Sequence, residues 1–93
     1  MKVIQARSFE KKVKRFRKKD KKISDTQIQR ILDNPAIGQE KKGDLRGVFI
    51  RKSKIQTIQY LLSYRFVGDA LELIMIGRHE NYYKDLKTHL KSR

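Results

Sequence analysis

The stretch VFIRKSKIQTIQYLLSYRFVGDALELIMIG, residues 48–77, decides the fold. Its first segment alternates Val48, Ile50, Lys52 and Lys54 against Phe49, Arg51 and Ser53. The next segment sets Ile58, Tyr60, Leu62, Tyr64 and Phe66 against Gln59, Leu61, Ser63 and Arg65. A period of two means that successive side chains go to opposite faces of a sheet. VGD, residues 67–69, is a hairpin turn, and ALELIMIG is a third strand apolar enough to lie inside the sheet. Three strands in sequence order are therefore expected to form an antiparallel meander.

Working outward, the period changes to that of helices. Upstream, Phe9, Val13 and Phe16 make one helical stripe, with Ile23 slightly off phase. Lysines and arginines cover the rest of that surface, and Ser8 is placed to cap it. Ser24-Asp25-Thr26-Gln27 reads as a capping box for a second helix bearing Ile28, Ile31 and Leu32. Asn34-Pro35 ends it, since proline restricts the residue before it. The two helices are expected to form a hairpin joined near Asp20–Ile23. Residues 2–6, KVIQA, are read as an edge strand. The glycine-bearing segment NPAIGQEKKGDLRG, residues 34–47, is a loop.

Downstream, IGRHENYYKDL, residues 76–86, combines a strand end, a polar corner and the start of a last helix. In that helix Tyr82 or Tyr83, Leu86 and Leu90 fall at helical spacing. Adjacent helical residues point about 100° apart, so one tyrosine packs and the other stays available. The order β-α-α-β-β-β-α predicts an α+β fold, with helices on one face of a small antiparallel sheet. Residues 1–93 are read as one domain.

Charge narrows the function. The chain carries 24 Lys and Arg against 10 Asp and Glu, a formal net charge of +14 on 93 residues. Residues 1–22 alone hold eleven cations against Glu10 and Asp20, and residues 46–66 hold five and no acid. Such a surface selects acidic partners: nucleic acid, an anionic protein or a membrane surface. No run approaches the roughly 18 apolar residues of a membrane span, and no apolar signal segment opens the chain. There is no cysteine, so neither a disulfide framework nor a thiolate metal site is available. Two histidines ten residues apart make no metal site, and no cofactor is expected.

A basic helical hairpin, GDLRG, a strand reading YLLSYRF and the corner GRHENYYKDL, in that order, resemble the RelE/ParE superfamily of bacterial toxins. NPAIGQEKKGDLRGVF followed by HENYY is most similar to its ParE-like branch. The resemblance spans roughly residues 3–90. It implies a cytoplasmic toxin of a type II toxin–antitoxin module, neutralised by direct binding of a cognate antitoxin, which contacts operator DNA. It also implies one of two targets: DNA gyrase, which ParE-type members inhibit by binding, or ribosome-bound mRNA, which RelE-type members cleave.

The two targets require different residues. Cleavage through the 2′-OH needs a base, an acid and cations for the phosphate. By resemblance, Lys52 or Lys54 would hold the phosphate, with Arg78 as a further cation. His79 would move protons, and Tyr82 or Tyr83 would stack on a base. RelE-type members carry an arginine in the middle strand where this chain has Leu61, which favours the inhibitor reading. Inhibition needs only shape and charge, and assigns the contact to Lys11, Lys14, Arg15, Lys18 and Lys19, with Arg51 and Arg65 on the strands. A generic basic nucleic-acid-binding protein is the third reading.

Overall fold

The computed structural model describes residues 2–55, 57–78 and 80–91. Their order is β1 (Lys2–Gln5), α1 (Arg7–Lys14), α2 (Lys18–Asp33), a short 3-10 turn (Pro35–Ile37) and β2 (Gln39–Glu40). A second 3-10 turn (Gly43–Leu45), β3 (Phe49–Ile55), β4 (Ile58–Val67), β5 (Ala70–Arg78) and α3 (Tyr82–Lys91) follow. The strands form one sheet in the order β1-β5-β4-β3-β2. The meander β3-β4-β5 is antiparallel, as short connections between consecutive strands require. The edge strand β1 instead runs parallel to β5, so the sheet is mixed and not wholly antiparallel as expected.

The sheet is covered on both faces. Phe9 of α1 and Ile31 of α2 pack with Leu62, Tyr64, Leu71, Leu73 and Ile76, and Val13, Phe16 and Ile28 add to that layer. Leu61, Ile50, Val48 and Ile74 face the other way and receive Tyr82 and Leu86 of α3. The expectation of helices on a single face is corrected accordingly. Leu61 and Leu62 are both fully buried on opposite faces, which leaves no solvated side for the central strand.

The helical hairpin also turns elsewhere than the capping signals suggest. α1 stops at Lys14 and α2 starts at Lys18, with Arg17 in extended backbone, so the elbow is at residues 15–17 and not at Asp20–Ile23. Ser24 lies inside α2, 1% exposed, its buried hydroxyl with no hydrogen-bond partner, so it caps nothing. Tertiary contact overrides the local signal here. Phe16 sits edge-on to Tyr60, with ring centroids 5.7 Å apart, and docks the elbow against the sheet. Ser8 is likewise not a cap: its Oγ donates to the Ile74 carbonyl at 2.7 Å.

That serine answers a local irregularity. Ser63 is opposite Met75 while Tyr64 is opposite Leu73, so Ile74 is an extra residue in β5, a bulge. Ser8 takes the bulged carbonyl from one side. On the other, Met75 N–H donates to Ser63 Oγ at 3.1 Å. Tyr82 Oη lies 2.8 Å from Ser63 Oγ and 2.9 Å from the Met75 carbonyl, either of which accepts its proton. The bulge thereby turns Ile74 and Met75 together toward α3.

Candidate functional site

Cross-strand register shows which candidate residues meet. Lys52 is opposite Leu61, which is opposite Gly77; these share the α3 face, since directly opposed residues point the same way. Lys54 is opposite Gln59 on that face. Both lysines are exposed. Ser53, Tyr60 and Arg78 form the neighbouring row, so Arg78 stands on the hairpin side and does not join the lysines. His79 lies outside the described residues.

The tyrosine pair divides its labour as helical geometry demands. Tyr82 is 2% exposed, and its hydroxyl is used in the bulge network. Burial pushes the phenol well above its ordinary range, with the Ser63 hydrogen bonds offsetting only part of that. A ring in that position cannot stack on a base. Tyr83 is half-buried and lies under Lys41 Nζ, 5.2 Å from the ring centroid. Lys41 was not among the sequence candidates; it sits in a loop whose contact with α3 no local pattern announces.

Leu61 is the centre of this face. It is fully buried among Ile50, Ile74, Tyr82 and Leu86. The position between Lys52 and Gly77 is therefore filled by aliphatic packing and not by a charge.

The second cluster is the helical elbow. Lys11, Lys14, Arg15, Lys18 and Lys19 are all exposed there, as are Lys12, Arg17, Lys21 and Lys22. Lys14 pairs with Glu10 at 3.7 Å, with both side chains more than half exposed, a contact worth little. The elbow therefore keeps its positive field. The two strand arginines assigned to target contact behave differently. Arg65 Nε is 2.6 Å from Glu72 Oε1, and Glu72 is buried. Arg51 Nε donates to Gln27 Oε1 at 3.3 Å, tying β3 to α2. Both are engaged in holding the fold. Among the described residues no group of His, Asp or Glu is placed to hold a metal ion, and no helix is long and apolar enough to cross a membrane.

Similar proteins place this arrangement in a family. The YoeB/ParE toxin from Agrobacterium tumefaciens superposes with a TM-score of 0.69 at 23% identity, covering 85% of this chain and 99% of that one. A free-state mutant of the E. coli toxin RelE gives 0.71 at 14% identity, covering 99% and 95%. The intact E. coli RelBE toxin–antitoxin complex gives 0.67 at 16% identity, over 85% and 96%. These likenesses establish a common fold. No curated protein matches by sequence. The model of one family, described as the ParE-like toxin of type II bacterial toxin–antitoxin systems, matches residues 3–87. With nearly the whole chain matched, and one sheet covered by helices on both faces, this protein belongs to the ParE-like toxins of type II toxin–antitoxin systems, within the RelE/ParE superfamily.

Proposed function

We propose that this toxin acts in the cytoplasm by binding its target and not by cleaving RNA, as a ParE-like inhibitor of DNA gyrase. Its partner is a cognate antitoxin with an acidic toxin-binding segment, and operator DNA is contacted mainly through that antitoxin. The observation that carries this reading is Leu61. A ribonuclease needs cations converging on the scissile phosphate, and losing one such donor costs about 10²–10³ in rate. Here the middle of the Lys52–Leu61–Gly77 row is fully buried hydrocarbon. Arg78 is on the other face, and the Tyr82 hydroxyl is enclosed. The elbow around Lys11, Lys14, Arg15, Lys18 and Lys19 supplies the contact surface, where exposed cations attract an anionic protein surface or gyrase-bound DNA. The antitoxin assignment rests on the family and on the RelBE complex among the similar structures.

The RelE-type reading has one observation in its favour: Lys52 and Lys54 share an exposed face. Two assays on the purified toxin separate the readings. Gyrase supercoiling is expected to be inhibited, while ribosome-bound mRNA stays intact. Cleavage of that mRNA which disappears in Lys52→Ala, Lys54→Ala or His79→Ala would overturn the inhibitor proposal.

A further inference from the structure

Among the described residues the exposed large hydrophobic side chains are Val3, Ile4, Phe66 and Val67, and register gathers all four at one end of the sheet. Val3, Leu71 and Phe66 make one row across β1, β5 and β4, on the hairpin face to which Leu71 belongs. Phe66 is engaged there, edge-on to Phe49 and Tyr64 with centroids 5.7 and 6.0 Å away. The adjacent rows, Ile4–Glu72–Arg65 and Lys2–Ala70–Val67, alternate to the α3 face. None of those six residues belongs to the cluster beneath α3, whose members on β5 are Ile74 and Met75. Ile4 is left 45% and Val67 51% exposed, with the Arg65–Glu72 ion pair between them. This end of the α3 face is apolar at both flanks and bare.

Charge selects what can cover it. Those two rows and the turn beside them carry Lys2, Arg65, Asp69 and Glu72, two of each sign, on a chain of net charge +14. An acidic protein or a nucleic acid finds no excess of cations here and is drawn to the elbow instead. The elbow is remote. Its Phe16 docks on Tyr60, seven residues from Val67 along β4, or about 23 Å at about 3.3 Å per residue. That is more than two Debye lengths at physiological ionic strength, about 8 Å each. Lys87 and Lys91 of α3 line a separate cleft, with Asp44 and Leu45. A second copy of this chain can therefore approach the bare end without meeting the first copy's cation cluster.

We propose that the bare end of the α3 face is a self-association surface, on which two copies pack sheet to sheet about a two-fold axis lying across the strands. Each copy's Ile4–Glu72–Arg65 row then covers the other's Lys2–Ala70–Val67 row. Ile4 packs under the methylene stem of Lys2 and Val67 under that of Arg65, while both charged heads stay in water. The contact is made by side chains, and neither sheet gains a strand. The bodies extend in opposite directions, which keeps the two α3 helices apart and puts one elbow at each end. The dimer is thus bivalent toward whatever the elbow binds. Two short rows per copy are less than a standard interface holds, so association is weak, with a Kd on the order of 10⁻⁴ M.

The test is sedimentation velocity of the whole chain, with NMR amide shifts followed on dilution. At about 0.5 mM protein a dimer should be populated, and its share should hold or grow as salt rises from about 0.05 to about 0.5 M. Apolar burial drives the contact, and added salt only screens the remote repulsion. Shifts on dilution should centre on residues 2–5 and 65–72. Val67→Lys and Ile4→Lys should each weaken association by about tenfold or more, since each buries a charge against a like-charged stem. Thermal unfolding shows whether the variants keep the fold; should Ile4→Lys loosen the edge strand, Val67→Gln carries the same comparison. Lys18→Gln with Lys19→Gln, at the elbow, should associate as the parent does or more tightly. A monomer at about 1 mM in high salt, a dimer that dissociates as salt rises, or one that survives Val67→Lys would each overturn the proposal. So would a monomer whose residues 65–72 become protected only in complex with the product of the neighbouring reading frame, which would give this face to that partner.

Discussion

Tyr82→Phe asks whether the signature tyrosine is a structural peg or a catalytic group. The substitution keeps the ring against Gly77 and Leu86 and deletes one oxygen, so no cavity larger than that atom opens. What disappears is a buried O–H bond shared between Ser63 Oγ at 2.8 Å and the Met75 carbonyl at 2.9 Å. Ser63 still donates to that carbonyl at 3.3 Å, so the bulge loses one bond and not its whole network. The expected cost is about 1–2 kcal/mol. For a domain of this size that lowers Tm by about 4–16 °C. Ser63→Ala leaves the Met75 N–H without its acceptor and costs about 1–3 kcal/mol. Because the two hydroxyls share partners, the double variant should fall short of additivity by about 0.5 kcal/mol or more. Urea unfolding of the four proteins measures the cycle, and growth inhibition below the Tm of each reads the function. A Tyr82→Phe protein that is as stable as the parent, additive with Ser63→Ala, yet no longer toxic would refute the peg and restore the tyrosine to the chemistry.

Further predictions concern other parts of the molecule. Leu61→Arg should not create a ribonuclease: it places a charge among Ile50, Ile74 and Leu86 and should cost several kcal/mol, seen as a collapse of Tm without mRNA cleavage. Gly38→Ala should destabilise by about 1–3 kcal/mol, because the added Cβ runs into the Tyr64 hydroxyl that accepts from Gly38 N–H and donates to Pro35 O; denaturant titration checks it. Burial holds the Tyr82 and Tyr64 phenols above their ordinary value, so above about pH 10 the unfolded chain releases protons that the folded one keeps. Stability should therefore fall on raising the pH through that range, and less steeply in Tyr82→Phe; the difference between the two Tm–pH curves is the measurement. Lys18→Gln with Lys19→Gln should weaken binding to a duplex DNA probe. Its salt dependence should flatten by up to about 0.9 log–log units for each phosphate no longer neutralised, read by fluorescence anisotropy.

The parts of this fold that could be read in advance are those set by neighbours along the chain. Alternation in residues 48–77 is enough to make strands, because each side chain's face follows from its parity. The hairpin turn is legible because Gly68 takes positive φ without cost. The elbow's field is legible because eleven cations within 22 residues cannot be neutralised by two acids. Capping signals misled at Ser8 and Ser24, since tertiary packing overrides them: the Ser8 hydroxyl donates to an acceptor 66 residues away, and Ser24 is buried inside α2. Which tyrosine of the pair packs, and that Arg65 and Arg51 are held by Glu72 and Gln27, likewise depended on partners distant in sequence.

By itself, then, the sequence determined the three meander strands, the helices on either side of them and the sign of the surface, all properties of local spacing and summed charge; the segment 34–47, read as a loop, holds the short edge strand β2, which only its pairing with β3 reveals. Only the tertiary structure decided that both faces of the sheet are buried, that Leu61 closes the space between Lys52 and Gly77, and that Ile4 and Val67 stay exposed beyond α3. Those facts turn on which helix covers which face and how far it reaches. They are settled by packing and ladder register between segments that carry no mark of one another along the chain.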